Sequence, residues 1–313
     1  MPTASPAVAA DAPGAAGPHP AGVPRPAFSA TDVALLVLAC IWGGNFAVVK
    51  HGASEFGPLA FNAVRVGLAT ALLFAAARAL REPRPTSSQW RTLLALGLLG
   101  NGIYQVLFVE AVAHTRSANV AIVISSTPAM LALVGRVRGT DVLTPRGVAG
   151  IAISIAGLAL VILGGAAGGA PGGSLSGDLM AFVAVWCWVG YTTMLRPYTE
   201  TVAPVTLSAV TMLGGAVPLL LVGLPELGRV TWGAIPASAW GAVGYAGVLA
   251  IALGYLAWYR GLRVLGPTRT AMYSNLQPVV ALAVGALLLH EAPTAWQLLG
   301  ATGTMLGLVL VRL

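Results

Sequence analysis

The stretch IWGGNFAVVK (Ile41–Lys50) returns, altered, 146 positions later as CWVGYTTMLR (Cys187–Arg196). Trp42 and Gly44 fall on Trp188 and Gly190, Lys50 on Arg196, Pro58 on Pro204, Ala63 on Ala209 and Val64 on Val210. Further along, a register of 150 sets Ala121 on Ala271, Pro128 on Pro278, Thr144 on Thr294, Gly150 on Gly300 and Gly157 on Gly307. Two registers shared over most of the chain mark an internal repeat, the first thing to settle in a sequence of this kind.

Both copies lie in apolar surroundings. The 313 residues are 57% hydrophobic and 9% charged, with a mean hydropathy of +0.83. A soluble domain carries roughly a quarter charged residues, so that class is excluded. Lipid admits only helices or closed barrels, and a barrel would alternate in short segments. Runs such as LVLACIWGGNFAVV do not alternate. About 20 apolar residues span a bilayer as a helix. The runs predict an all-α integral membrane protein with ten transmembrane helices, at roughly 33–50, 58–79, 92–112, 118–135, 147–165, 178–195, 204–224, 238–259, 267–289 and 295–312.

Five spans per repeat is an odd number, so the second copy enters the membrane upside down. The net charge of +7 agrees through its placement. Arginines gather in the joints around 78–91, 136–146, 196 and 260–269, whereas the opposite joints keep Lys50, Arg116 and Arg229. By the positive-inside rule both termini are cytoplasmic. The basic balance then encodes orientation against anionic lipid, and no nucleic acid partner is expected. Inverted repeats place a substrate site between the halves near the midplane, with access alternating as they rock.

The expected organisation is a disordered cytoplasmic N-terminus over 1–30, a first five-helix repeat over 31–165, a Gly-rich outer linker over 166–177 and a second repeat over 178–313. The N-terminal stretch is rich in Ala and Pro and cannot bury enough surface to offset its ordering entropy. It also lacks the basic start and apolar core of a signal peptide. Cys40 and Cys187 read as apolar fillers rather than a disulfide.

Polar groups within the spans are the candidates for function. Trp42, Asn45 and Phe46 share one face at i, i+3, i+4 spacing, and an unpaired amide inside a span is costly. Asn45 therefore reads either as a cavity-lining group beside an aromatic wall or as an interhelical hydrogen bond. Gly43 and Gly44 suit close helix packing. Lys50 reads as a headgroup anchor reached by snorkelling. Arg65 lies seven residues past Pro58, about 10 Å below the outer surface at the helical rise. Intramembrane charges face a partner or a wet cavity. Glu110, at a similar depth, is the expected partner of Arg65, with Lys50 as a further member of an outer gate or proton-sensitive switch; a static rim pair is the plainer alternative.

Tyr104, Gln105, Trp186, Trp188, Tyr191, Tyr255 and Asn275 complete the expected substrate cavity, with core packing as the alternative for each. Pro128 and Pro278 predict kinks, since a proline frees a carbonyl one turn earlier. Gly150, Ser154 and Gly157, with Gly300, Gly303 and Gly307, form small-residue faces for close packing, either within the chain or across a homodimer.

IWGGNFAVVK followed by PLAFNAVR, and GYLAWYRGLRVLGPTRTAMYSNLQPVVALAVGALLLHEAPTAWQLLGATGTMLGLVLV, resemble the two halves of the EamA-like family of the drug/metabolite transporter superfamily, over residues 33–313. The resemblance implies ten helices with cytoplasmic termini and movement of small metabolites, often amino-acid export, across the plasma membrane. It also implies a cavity lined from spans one, three, four, six, eight and nine. One departure stands out: the acid that usually ends the fourth span, matched by Glu291 near the ninth, is here displaced to Asp141 in GRVRGTD.

The sequence thus reads as a secondary transporter exporting small metabolites, with hydrophobic drug efflux or solute uptake as alternatives. GxxxxGK[ST] is absent, so transport is coupled to a gradient, protons being the candidate, or is uncoupled. No HExxH, GxSxG or Cys–His cluster suggests an enzyme, and no metal or other cofactor is expected. A non-transporting sensor or scaffold is the remaining alternative, although it would normally carry a soluble output domain, for which no loop is long enough.

Overall fold

The computed structural model describes residues 29–139, 144–167 and 173–312. Most of the expected N-terminal tail, the centre of the Gly-rich linker and Asp141 lie outside the described residues. The described chain is helical and contains no strand.

Helix α1 (Ala30–Phe56) opens on a capping box, in which the Ser29 N–H donates to Asp32 Oδ2 at 2.7 Å while the Ser29 side chain accepts from the Asp32 N–H. That reciprocal pair satisfies two otherwise free helix-end donors. The helix ends at Gly57, whose φ of 87° suits glycine, and Pro58 occupies the first turn of α2 (Pro58–Ala79), where its missing N–H costs nothing. The chain continues through α3 (Ser87–His114), α4 (Ser117–Val137), α5 (Pro145–Ala167), α6 (Leu175–Leu195), α7 (Pro204–Leu227), α8 (Ala237–Leu265), α9 (Arg269–Leu288) and α10 (Ala295–Arg312). Among the described residues, α1 to α9 are long and apolar enough to cross a membrane. The 18-residue α10 lies along α5 and completes ten.

The two five-helix repeats are visible as exchanged contacts. α1 packs on α9 and the last part of α8, and its counterpart α6 packs on α4 and the last part of α3. α2 meets α7, and α5 meets α10. The third helix of each half carries a stretch of wide π-type turns, Leu98–Ile103 in α3 and Tyr245–Leu253 in α8. A shift of 150 lays the first on the end of the second, so the change from the 146 register falls before these stretches, between α7 and the start of α8. α7 packs on the wide turns of α3, and α2 on those of α8.

Glycine makes two of these approaches possible. A Cβ on Gly215 of α7 would lie 2.2 Å from the Asn101 carbonyl carbon, and one on Gly307 of α10 would lie 2.4 Å from the Gly150 oxygen. The small-residue faces of α5 and α10 therefore cover each other within one chain.

The fourth helix of each half is broken just before its proline. α4 splits into Ser117–Ile124 and Thr127–Val137, and α9 tightens into 3-10 turns over Met272–Leu276 before Gln277–Leu288. In α4 three consecutive hydroxyls, Ser125, Ser126 and Thr127, donate back to the carbonyls of Ile122, Val123 and Ile124 at 2.6, 2.7 and 2.6 Å. Those side chains satisfy the backbone groups that the break exposes.

Candidate functional site

A cavity lies between the halves, where α1, α2, α3, α4, α6, α8 and α9 converge. α1 contributes Trp42, Asn45 and Phe46, α2 contributes Arg65, and α3 contributes Tyr104, Gln105 and Phe108. Ile124 and Thr127 come from the broken centre of α4, Trp188 from α6, Ala250, Ile251 and Tyr255 from α8, and Ser274 and Gln277 from α9. The space is narrow: about 50 Å³ admits the centre of a water-sized molecule, room for a few waters.

Aromatic rings form one wall. Trp188 stands 5.0 Å from Tyr104, 5.5 Å from Tyr255, 5.7 Å from Trp258 and 6.1 Å from Trp42, centroid to centroid. These are edge-on and tilted contacts, the arrangements the ring quadrupole favours. Trp42 Nε1 donates to the Ala250 carbonyl at 2.8 Å, within the wide turns of α8, and Tyr245 Oη donates to the Ile41 carbonyl at 2.9 Å. Wide turns of this kind recur at functional sites because they re-aim the backbone. Here they receive the indole of α1 and help set the cavity's width.

Arg65 forms the polar wall and is 1% exposed. Its Nε donates to Asn62 Oδ1 at 2.9 Å and its Nη2 to Gln105 Oε1 at 2.8 Å. Gln105 in turn donates to Tyr255 Oη at 3.3 Å, and Asn62 Nδ2 to the Gln105 carbonyl at 2.9 Å. The guanidinium carbon sits 5.6 Å from the ring centres of both Phe61 and Phe108. Among the described residues no carboxylate pairs with it. Beside it Asn45, 7% exposed, has a buried Oδ1 with no hydrogen-bond partner among the described residues.

The expected Arg65–Glu110 pair does not form. Glu110 follows Gln105 by five residues, which turns it about 140° around α3 and away from Arg65. It lies instead against His114, with Oε2 3.3 Å from Nδ1. Lys50 has partners within the protein at the rim. Its Nζ is 2.6 Å from Glu291 Oε1 and donates to the Thr115 carbonyl at 3.0 Å.

Of the other expected cavity residues, Trp42, Asn45, Tyr104, Gln105, Trp188 and Tyr255 line the space, and three do not. Trp186 is 39% exposed and packs edge-on against Phe182, because two residues along a helix turn it about 200° from Trp188. Tyr191 is buried behind Trp188, bonded to Tyr259 and accepting from Asn101 Nδ2 at 3.5 Å. Asn275 is partly buried off the lining; its neighbours Ser274 and Gln277 take the α9 positions. The expectation also lacked Phe108, which lines the space; the 150 register sets it on Trp258, which backs the aromatic wall against Trp42 and Trp188.

A second polar cluster closes the rim where α1 and α3 end and α6 and α10 begin. Glu291, between α9 and α10, accepts from Ser117 Oγ at 2.9 Å as well as from Lys50. Arg116 donates to the Ala292 carbonyl. Asp178 accepts from Thr115 Oγ1 at 2.9 Å and from Asn119 Nδ2 at 3.1 Å, and Gln297 Nε2 donates to Asn119 Oδ1 at 2.7 Å. At the opposite rim Tyr273 donates to Asp32, and Arg260 Nε donates to Thr31 Oγ1 at 3.1 Å.

Ten apolar helices in inverted repeats, closed around a central amphipathic cavity, define a multi-pass membrane protein with the architecture of inverted-repeat transporters. The chain belongs to the EamA-like transporter family, whose model matches residues 30–163 and 175–313; it is a transporter and not an enzyme. It is 28% identical over 283 residues, 88% of this chain and 92% of the relative, to the uncharacterized transporter YyaM of Bacillus subtilis (strain 168). It is 25% identical over 281 residues, 89% of this chain and 92% of the relative, to a protein of Streptantibioticus cattleyicolor named a probable terminal-alkyne amino-acid exporter. A crystal structure 20% identical in sequence shares the fold, with a TM-score of 0.62 over 88% of this chain and 94% of that one.

Proposed function

We propose that the protein exports small amphipathic metabolites, amino acids among them, by alternating access across the plasma membrane. In this reading both termini lie in the cytoplasm and the Lys50–Glu291 rim faces outward. The observation that carries the reading is the composition of the central cavity. It pairs aromatic rings for an apolar body with Arg65, Gln105 and Asn45 for a polar head, the mix that suits a small amphipathic solute. The Streptantibioticus relative, named an exporter of an amino acid, supports the same substrate class. The arginine-rich joints support the orientation. With no nucleotide-binding loop in the sequence, the energy comes from a gradient, and protons are the candidate.

The test is reconstitution of the purified protein in liposomes loaded with a mixed pool of amino acids and related metabolites. Release is followed by mass spectrometry with and without a pH gradient. A defined subset should leave, faster with the gradient, and Trp42→Ala should abolish its release. A folded, inserted sample that releases nothing above protein-free liposomes overturns the reading.

A further inference from the structure

Arg65 presents an imbalance that the protein does not itself correct. A guanidinium stays protonated in proteins, and a charge taken out of water costs several kcal/mol unless it is paired. The partners of Arg65 are neutral: the amide oxygens of Asn62 and Gln105, and the faces of Phe61 and Phe108. Those bonds use two of the five guanidinium N–H groups. Among the described residues the lining of the cavity holds this cation and no acid. Intramembrane charges face a partner or a water-filled path, and this one faces a space with room for only a few waters.

The supports around it are built to hold the guanidinium still. Asn62 lies one turn before Arg65 on α2 and bonds both Arg65 and the Gln105 carbonyl of α3. Gln105 bonds Tyr255 of α8. The cation is thus tied through amides to elements of both halves while its charge remains unmatched. The repeat sharpens the point, because the 146 register places Thr211 opposite Arg65 in the second half. Thr211 there shares a hydrogen bond with Tyr259 Oη at 3.3 Å, within a hydroxyl cluster that carries no charge. The fold therefore does not require a cation at this position. A second observation also points to a ligand: the buried, unpartnered Oδ1 of Asn45 on the same lining is an acceptor that a ligand's N–H or O–H donor would satisfy.

We infer that Arg65 is the carboxylate-binding residue of the cavity and selects substrates by their anionic end, with the Trp42–Trp188–Tyr255 wall taking the apolar end. This rests on the export reading above. The chemistry favours arginine for the task, since its planar fork meets a carboxylate through two parallel hydrogen bonds, whereas lysine offers a point charge.

The experiment uses the full chain in liposomes loaded in turn with L-phenylalanine, 3-phenylpropionate, L-phenylalaninamide and phenethylamine, the last two lacking the carboxylate. Quenching of tryptophan emission gives a parallel binding readout, because Trp42, Trp188 and Trp258 crowd the site. The two carboxylates should leave about 30-fold or more faster than the two probes without one, the low end of what removing one partner of a buried charge pair costs. Arg65→Gln should erase that ratio and Arg65→Lys should keep part of it. If Arg65→Gln does not fold, the wild-type ratio decides alone. Equal handling of phenylalanine and its amide overturns the inference and leaves export standing, provided that the amino-acid pool is still released. Silence with all four probes, when the pool is released, also overturns it. Silence with probes and pool together removes both readings.

Discussion

Lys50 and Arg65 are cations of the same repeat, one at the rim of the bundle and one in its centre, and they are handled in opposite ways. Lys50 meets a carboxylate, Glu291, with side chains 26% and 14% exposed. Arg65 is almost fully buried and meets only amides and rings. The rim pair also crosses between halves, from α1 of the first to the α9–α10 joint of the second. It ties the two halves together at that end. At the far rim, Tyr273–Asp32 and Arg260–Thr31 cross between the halves in the same way. Both rims are thus laced while the cavity between them is narrow and charged. The contrast separates two settings for charge in a membrane: an ion pair that ties the halves together at the rim, and a cavity cation that, under the carboxylate-binding inference, takes its partner from outside.

The first way to break this comparison is to make the rim tie permanent. In a background of Cys40→Ala and Cys187→Ala, the double variant Lys50→Cys, Glu291→Cys would be bridged with a short, cleavable bifunctional thiol reagent. If this rim opens in each cycle, bridging should stop transport completely and cleavage should restore it. Transport at an unchanged rate through the bridged protein would show that substrate does not pass this rim.

The cavity side is tested by two tryptophans that are two residues apart on α6. Trp188 touches Tyr104, Tyr255, Trp42 and Trp258, so Trp188→Ala should cost about 3–5 kcal/mol of stability, as for other large-to-small core changes, and should abolish transport. Trp186 points outward against Phe182, and Trp186→Leu should stay within about 0.5 kcal/mol with transport intact. Thermal unfolding in detergent and flux in liposomes report both. Equal effects at the two sites would mean that α6 is turned differently about its axis.

Spans, repeats and the cavity face of α1 were legible because they depend on hydropathy and on spacing within one helix. Trp42, Asn45 and Phe46 reach the cavity together for that reason. What failed was rotation. Arg65 and Glu110 were matched by depth alone, but facing is set by phase. The wide turns at Leu98–Ile103 shift the phase of everything after them in α3, so the side presented by Tyr104, Gln105 and Phe108 does not follow from the residues before. α6 is apolar all round, and its pattern does not distinguish Trp186 from Trp188. Lys50 and Glu291 are 241 positions apart, and no local pattern joins them.

The smallest effect is the most direct measure of the contrast. In a double-mutant cycle of Lys50→Met and Glu291→Gln, the coupling in unfolding free energy should be about 1 kcal/mol, the upper end for ion pairs that water still reaches. Neither single change strands its partner: Lys50 keeps the Thr115 carbonyl, and Glu291 keeps the Ser117 hydroxyl. A parallel cycle of Arg65→Gln and Glu110→Gln should give additive losses, with coupling below about 0.5 kcal/mol, as expected for sites that share no contact. The reverse outcome, coupling at Arg65–Glu110 and none at Lys50–Glu291, would move the ion pair to the centre of the bundle. The cavity cation would then already be paired within the protein, and its role in holding a substrate carboxylate would lose its physical basis.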